Sequence, residues 1–279
     1  MVIRETIRFG RQLLEDAGIS DADTDAGLLF EAVTGRDRTY RLLHPEEEIP
    51  EEQMAEYRNL LERRAAHEPC QYIIGSCEFY GLTFEVNPNV LIPRQDTEVL
   101  VEEALKEIPK EACVLDLCTG SGAIAVALKH SRNDLQVIAS DLSEKALDVA
   151  KRNGDRNGCE ISFLQSDLFE KIDPAKQFDL IVSNPPYVTD AEYEELMPEV
   201  KEHEPKLALT AGAEGLDIYK RLISEAPNYL KPEGRLMVEI GYLQGESVRS
   251  LYEANGFREI RIIKDLAGLD RVVAGKLLK

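Results

Sequence analysis

The chain has 279 residues, with 33 Lys and Arg against 52 Asp and Glu, a formal net charge of −19, 43% hydrophobic and 30% charged residues. That is the composition of a globular protein of one large or two ordinary domains, and the negative charge disfavours a broad nucleic-acid footprint, which needs a basic surface. No apolar run reaches membrane-spanning length, the early charges of Met1-Val2-Ile3-Arg4-Glu5 argue against export, and five cysteines without a C-x-x-C pair beside four scattered histidines predict reduced cytoplasmic thiols and no metal site.

Residues 1–69 read as a small helical domain. Ile3, Ile7, Leu13, Leu14 and Ala17 follow helical spacing, and Gly18 is a stop. Ser20-Asp21-Ala22-Asp23 has the form of a capping box that opens a second helix over Ala26 to Val33, ending at Gly35. Pro50 opens a third helix through Met54, Tyr57, Leu60 and Leu61 to Ala66. Nothing in this block has catalytic chemistry, so packing or partner recognition is its expected task. Residues 70–92 change period: Tyr72-Ile73-Ile74-Gly75 and Phe79 to Val86 predict strands around glycine turns, a β-hairpin linker. Then Thr97 or Asp96 is placed to cap a helix from Val99 to Glu107, with Arg94 just before it.

Residues 93–279 form the main domain, and from Cys113 strands and helices alternate. Strands are expected at Cys113–Leu117, Gln136–Ser140, Ile161–Leu164, Phe178–Ser183, Arg235–Glu239, Arg258–Lys264 and Arg271–Lys276, the last two antiparallel. Helices are expected at Ala123–Lys129, from Ser143 to Asn153 with Gly154 as stop, and at Leu216–Tyr229 and Gly245–Ala254. Such alternation predicts an α/β fold with a mostly parallel sheet between helical layers.

Two places on this frame carry chemistry. The first is the turn Cys118-Thr119-Gly120-Ser121-Gly122 after the first strand of the alternating series. Its glycines let a ligand approach backbone at a helix N-terminus. Asp141, 19 residues beyond Gly122, ends the next strand at the spacing of a carboxylate that grips ribose hydroxyls. A dinucleotide and S-adenosyl-L-methionine both fit that logic. Asp116 before the turn suits an ammonium better than phosphates, and Asp167 is placed to face an adenine amino group, so the methyl donor is favoured. The second place is Asn184-Pro185-Pro186-Tyr187, at the carboxyl end of a buried strand. Two prolines stiffen the backbone and bar helix. An Asn oxygen, a proline carbonyl and a flat ring suit a planar group that bears an –NH2.

Asp116-Leu117-Cys118-Thr119-Gly120-Ser121-Gly122, Asp141, Ser166-Asp167 and Asn184-Pro185-Pro186-Tyr187 together resemble the class I S-adenosyl-L-methionine-dependent methyltransferases. Pro69 to Gly75, Glu78 to Leu82 and Leu91 to Glu98 further resemble the HemK/PrmC-type protein-glutamine methyltransferases, and this resemblance covers essentially the whole chain. It implies a Rossmann-like seven-stranded sheet and methylation of the Gly-Gly-Gln glutamine of peptide chain release factors. It also implies that the helical domain grips the factor; a monomer with neither membrane nor stable nucleic-acid partner is expected. By resemblance the cofactor meets Asp116, Cys118, Thr119, Gly120, Ser121, Gly122, Asp141, Asp167, Leu168 and Asn184, while Asn184, Pro185, Pro186 and Tyr187 are catalytic. The family usually has Gly at Cys118, Pro-Glu at Gln95-Asp96 and Trp at Leu168. Cys118 is therefore expected to tighten or shift the methionine end of the pocket, and Leu168 to forgo an aromatic contact with adenine. A nucleic-acid amino-methyltransferase with the same Asn-Pro-Pro-Tyr, a dinucleotide oxidoreductase and a non-catalytic adapter are the rival readings.

Overall fold

The computed structural model describes residues 1–278. They divide into two compact units: Met1–Ser76 with Met197–His203, and Cys77–Leu196 with Glu204 onward.

The first unit is helical: α1 (Ile3–Asp16), α2 (Ala22–Thr34), α3 (Arg38–Leu43), α4 (Glu51–Ala65) and α5 (Cys70–Ile74). Ile3, Leu14, Leu29, Phe30, Tyr57 and Leu61 fill its core. Tyr57 passes over Gly10, where any side chain would collide with its ring, and its hydroxyl donates to the Ala26 carbonyl at 3.0 Å. Helix α2 begins four residues earlier than expected, and the capping box does not form: Asp21 takes the N-cap position without a side-chain capping bond, and the Ser20 hydroxyl donates to Asp21 Oδ2 at 3.3 Å. Gly35 ends α2 in the left-handed region. Helix α3 was not expected from the sequence; Asp37 caps it, accepting from the Tyr40 N–H at 2.7 Å.

The strand expected at Tyr72–Gly75 is instead α5. The paired isoleucines gave the strand reading, but Pro69 starts a helical turn, Gly75 closes it, and Cys70 and Tyr72 are buried, Cys70 within the same helical core. Tertiary burial here overrides β-propensity. The unit also contains a buried ion cluster. Arg64, 7% exposed at the side chain, pairs with Asp25 at 2.7 Å and with Glu199 at 3.1 Å. Two carboxylates satisfy a guanidinium that would otherwise be expensive to bury.

The second unit starts within the first strand of a hairpin, β1 (Ser76–Phe79) and β2 (Leu82–Glu85), which turns through Tyr80 and Gly81, both at positive φ. A 3-10 turn at Gln95–Thr97 leads into α6 (Glu98–Glu107). The alternating part follows: β3 (Cys113–Leu117), α7 (Ala123–Ser131), β4 (Gln136–Asp141), α8 (Glu144–Arg156), β5 (Ser162–Gln165) and β6 (Phe178–Ser183). After α9 (Asp190–Glu195) the chain forms α10 (Pro198–His203), which belongs with the helical unit, and then α11 (Asp217–Glu225), β7 (Leu230–Glu239), α12 (Gly245–Ala254), β8 (Phe257–Lys264) and β9 (Asp270–Leu277).

The seven strands are ordered β5-β4-β3-β6-β7-β9-β8, parallel except for β9, which runs antiparallel to both its neighbours. This is the expected seven-stranded, mostly parallel α/β sheet. Strand β3 is buried along its whole length, which is why it reads as an unbroken apolar run. The connections reverse direction between β3 and β6, a switch point that opens a crevice at their carboxyl ends. Gly154 does not stop α8; it lies inside, where a missing side chain admits the Cys159 carbonyl and the Phe163 ring at 3.4 and 3.5 Å from where a Cβ would stand. The helix expected through Tyr229 ends at Glu225 and passes into a 3-10 turn.

Candidate active site

The turn after β3 is built from backbone that ordinary residues avoid. Cys118, Gly120 and Gly122 have φ of 58°, 57° and 82°. Cys118 holds a left-handed position that favours glycine. A Cβ on Gly122 would lie 3.1 Å from the Ala150 Cβ, so the glycine lets α7 start close against α8. Asp141, at the end of β4, fastens the turn: its Oδ2 accepts from the Gly120 N–H at 2.8 Å and its Oδ1 from the Ser143 N–H at 2.9 Å. Burial raises its pKa above the ordinary carboxylate range, and those N–H groups pull it back.

Asp116 braces the same turn from inside. It is fully buried; its Oδ2 accepts from the Thr119 hydroxyl at 2.6 Å and the Ala125 N–H at 3.2 Å, while Oδ1 has no partner. Burial pushes its carboxyl up to about 7.

Cys118, Thr119, Gly120, Ser121, Asp141, Asp167, Leu168, Asn184 and Pro186 line one cavity at the carboxyl ends of β3 to β6. Asp116, Gly122, Pro185 and Tyr187 are not in its wall. Burial raises the Cys118 thiol, which disfavours the thiolate form. Leu142, Leu168 and Ile218 make an apolar surface beside Asp141 and Asp167. Asp167 also accepts from Arg221 at 2.9 Å.

These lining groups fit S-adenosyl-L-methionine. Carboxylates suit hydroxyl and amino hydrogens, the apolar surface suits a flat ring, and a turn with little side chain suits close passage over backbone. They fit a pyrophosphate poorly. The Gly120 N–H, which a phosphate would take, is already given to Asp141, and among the described residues Arg94 is the single cation in the wall.

At the other end of the cavity, Asn184 follows β6. Its Nδ2 donates to the Thr97 hydroxyl at 3.2 Å, so its Oδ1 is left for a ligand. Thr97 was expected as a helix cap, but its side chain caps nothing and serves the site instead. Tyr187 is held behind the wall: its hydroxyl donates to Glu239 Oε1 at 3.3 Å, and its carbonyl accepts from Gln244 at 3.0 Å. Burial raises the Tyr187 phenol. Arg94 forms an ion pair with Glu204, whose Oε2 also accepts from the Ile92 N–H at 3.2 Å. This joins the segment before α6 to the segment around Pro205, and both line the cavity.

Thr97, Glu204, Glu239 and Asn153 were not singled out by sequence. Asn153 bridges the hairpin and the turn: its Oδ1 accepts from the Glu85 N–H at 2.6 Å, and its Nδ2 donates to the Glu85 and Ser121 carbonyls at 3.0 and 2.9 Å. Glu239 had a usable signal, a carboxyl at the carboxyl end of a buried strand, the same signal that marks Asp141.

The PrmC N-terminal domain family matches residues 5–75, and the methyltransferase small domain family matches residues 94–203. The chain is 43% identical to the release factor glutamine methyltransferase of Geobacter sulfurreducens over 275 residues, covering 99% of this chain and 96% of that one. It is 42% identical to that of Caulobacter vibrioides over 267 residues, 94% and 92% of the two chains. Among solved structures, a methyltransferase from Pyrococcus furiosus is similar with a TM-score of 0.54 at 18% identity, over 72% of this chain and 91% of that one. The T. thermophilus 16S rRNA N2 G1207 methyltransferase, solved with AdoMet and guanosine, is similar with a TM-score of 0.53 at 20% identity, over 72% and 49%. At these identities the two structures speak for the shared fold.

Proposed function

Since the chain belongs to the release factor glutamine methyltransferase family, we propose that it transfers a methyl group from S-adenosyl-L-methionine to the side-chain amide nitrogen of the Gly-Gly-Gln glutamine of peptide chain release factors. The observation that carries this reading is the Asn184 carboxamide, tied through its nitrogen to Thr97 at the edge of a cavity whose far end suits the cofactor.

An amide nitrogen is a weak nucleophile because its lone pair is delocalised into the carbonyl. Asn184 Oδ1, in the wall, and, as the family resemblance implies, the Pro185 carbonyl, bonded to the nitrogen of the wall residue Pro186, accept the two amide hydrogens and turn the nitrogen lone pair toward the donor. Pro186 keeps the loop stiff, and Tyr187, anchored to Glu239, holds the loop from behind. S-adenosyl-L-methionine, when bound, supplies an electrophilic methyl on a sulfonium. Asp141, Asp167, Leu168 and the turn from Cys118 to Gly122 hold it, and Asp116 braces that turn. Such positioning is worth up to roughly 7–11 kcal/mol, and hydrogen bonds that strengthen in the transition state add to it. No general base is required before transfer. The methylated nitrogen is strongly acidic and releases its proton to water, consistent with a wall that has neither His nor Lys among the described residues.

The helical unit grips the release factor, and the protein works as a cytoplasmic monomer without stable nucleic-acid contacts; the net charge of −19 supports the last point. Leu42 and Leu43 on α3 are 73% and 70% exposed. Replacing both with Asp should raise KM for the release factor and leave cofactor affinity alone; an unchanged KM would give this face another task.

The deciding experiment incubates the pure protein with S-adenosyl-L-methionine and an unmodified release factor and maps the peptides by mass spectrometry. One added methyl on the Gly-Gly-Gln glutamine is the expected result. No methyl, with the cofactor shown to bind, would refute it and turn attention to RNA and DNA.

A further inference from the structure

Glu239 ends β7 and is buried, 1% exposed. Its Oε1 accepts from the Tyr187 hydroxyl, while its buried Oε2 has no hydrogen-bond partner, and the Thr97 hydroxyl lies near enough to oppose the rise in the Glu239 pKa. Thr97 in turn accepts from Asn184 Nδ2. A threonine hydroxyl has one proton. With its oxygen engaged by Asn184, that proton has the carboxyl to go to. We propose that Glu239 is a positioning residue for methyl transfer: as an acceptor for Thr97 and Tyr187 it fixes the Asn184 carboxamide with nitrogen toward Thr97 and oxygen toward the cavity.

The direction of the chain is the point. An ionised carboxyl can only accept, so Thr97 must donate to it and must accept from Asn184. The substrate amide then meets an oxygen. A group that donates at position 239 would let Thr97 turn its proton to Asn184, and the carboxamide would flip. The substrate's two amide hydrogens would then face an NH2.

Other charges near Glu239 leave this control intact. Arg271 on β9 lies close, but it is shared between Asp96 and Asp265, each at 3.0 Å. Tyr219 on α11 donates to the Glu239 backbone carbonyl at 2.8 Å and leaves the side chain free. Burial, the larger effect, places the Glu239 carboxyl at about 7, with Thr97, Arg271 and Tyr187 opposing and Asp96 adding to the rise. Acidification therefore adds a proton to Glu239 near neutrality, which makes it a donor.

This inference rests on the glutamine-methyltransferase reading. The test compares wild type, Glu239→Gln, Thr97→Val and Thr97→Ser on a full-length release factor, following initial rates across neutral pH, cofactor affinity by calorimetry, and thermal unfolding. Glu239→Gln should lower kcat by about tenfold to a hundredfold, the scale of a misplaced reacting group, with cofactor affinity nearly unchanged. The wild-type kcat should fall as pH drops through neutrality, and Glu239→Gln should lose that dependence. Thr97→Val should behave like Glu239→Gln, and Thr97→Ser should recover most of the loss. A Glu239→Gln protein that keeps kcat, keeps the acid limb, or loses kcat and cofactor affinity in parallel would overturn the proposal. A wild type that methylates no glutamine overturns the functional reading and this inference together; an active wild type beside an unaffected Glu239→Gln overturns this inference alone.

Discussion

Replacing Asn153 with Ala tests whether the turn after β3 is held by hydrogen bonds from α8. Asn153 makes three bonds, accepting from the Glu85 N–H and donating to the Glu85 and Ser121 carbonyls, and its side chain is fully buried. Each neutral bond contributes about 1 kcal/mol net, and the partners left behind are shielded from water. Ala is the better helix former by about 0.5 kcal/mol, which offsets part of the loss. The expected cost is therefore about 2–3 kcal/mol. At about 2–4 °C per kcal/mol for a chain of this size, the unfolding temperature should drop by ~4–12 °C. Asn153→Asp keeps the shape but sets a carboxylate against two carbonyl oxygens, so near neutral pH it should be at least as unstable and should recover partly on acidification. Scanning calorimetry gives the shift, and titration gives the cofactor dissociation constant, which should rise as the Ser121 carbonyl loses its tether. An Asn153→Ala protein that melts with the wild type and binds cofactor equally would refute the argument.

Asp141→Ala removes the acceptor for Gly120 and Ser143 together with the ribose contact, so the cofactor dissociation constant should rise by about tenfold or more, since roughly 1.4 kcal/mol is one decade; an unchanged constant would remove Asp141 from the cofactor site. Asn184→Ala should lower kcat by about a hundredfold while cofactor affinity holds, and parallel loss of both would count against its role. Asp116 and Glu239 both have pKa values of about 7 when folded, above their ordinary values, so the folded state holds their protons more tightly. Their contribution to stability is full at pH below the ordinary carboxylate range and is lost as pH rises through about 7. Asp116→Asn should flatten that part of the stability profile in urea melts at several pH values, and an unchanged slope would show that Asp116 is already ionised.

The centre of the sheet was legible because β3 and β6 are buried almost throughout and therefore read as apolar runs between turn formers, whereas the edge strands β5 and β8 are partly exposed. The site was legible where stiffness or missing side chains leave a mark: the two prolines after Asn184, the glycines at 120 and 122, and Asp141 at a fixed spacing. What was not legible depends on side chains meeting across long separations. Thr97 looks like a cap until Asn184, 87 residues on, takes its hydroxyl. Tyr72 and its isoleucine neighbours look like strand until the helical core claims Cys70. Gly154 looks like a stop until it is seen inside α8, packed against the Cys159 carbonyl and the Phe163 ring. The first two are decided by tertiary burial and partnering, and the third by close packing, none of which local propensity contains.

The helical unit takes its final piece, Met197–His203, from far along the chain. Arg64 and Glu199 are 135 residues apart in sequence. At synthesis rates of about 5–20 residues per second, the ribosome needs roughly 7–27 s to make that stretch. During this interval Arg64 has Asp25 but not Glu199, and the newborn helices wait incomplete. A nascent chain paused before Glu199 should therefore show faster amide exchange in α4 than the finished protein; equal protection would mean that the N-terminal helices mature alone. The unit that starts first in translation is thus completed only after β6 and Asn184 have been synthesised.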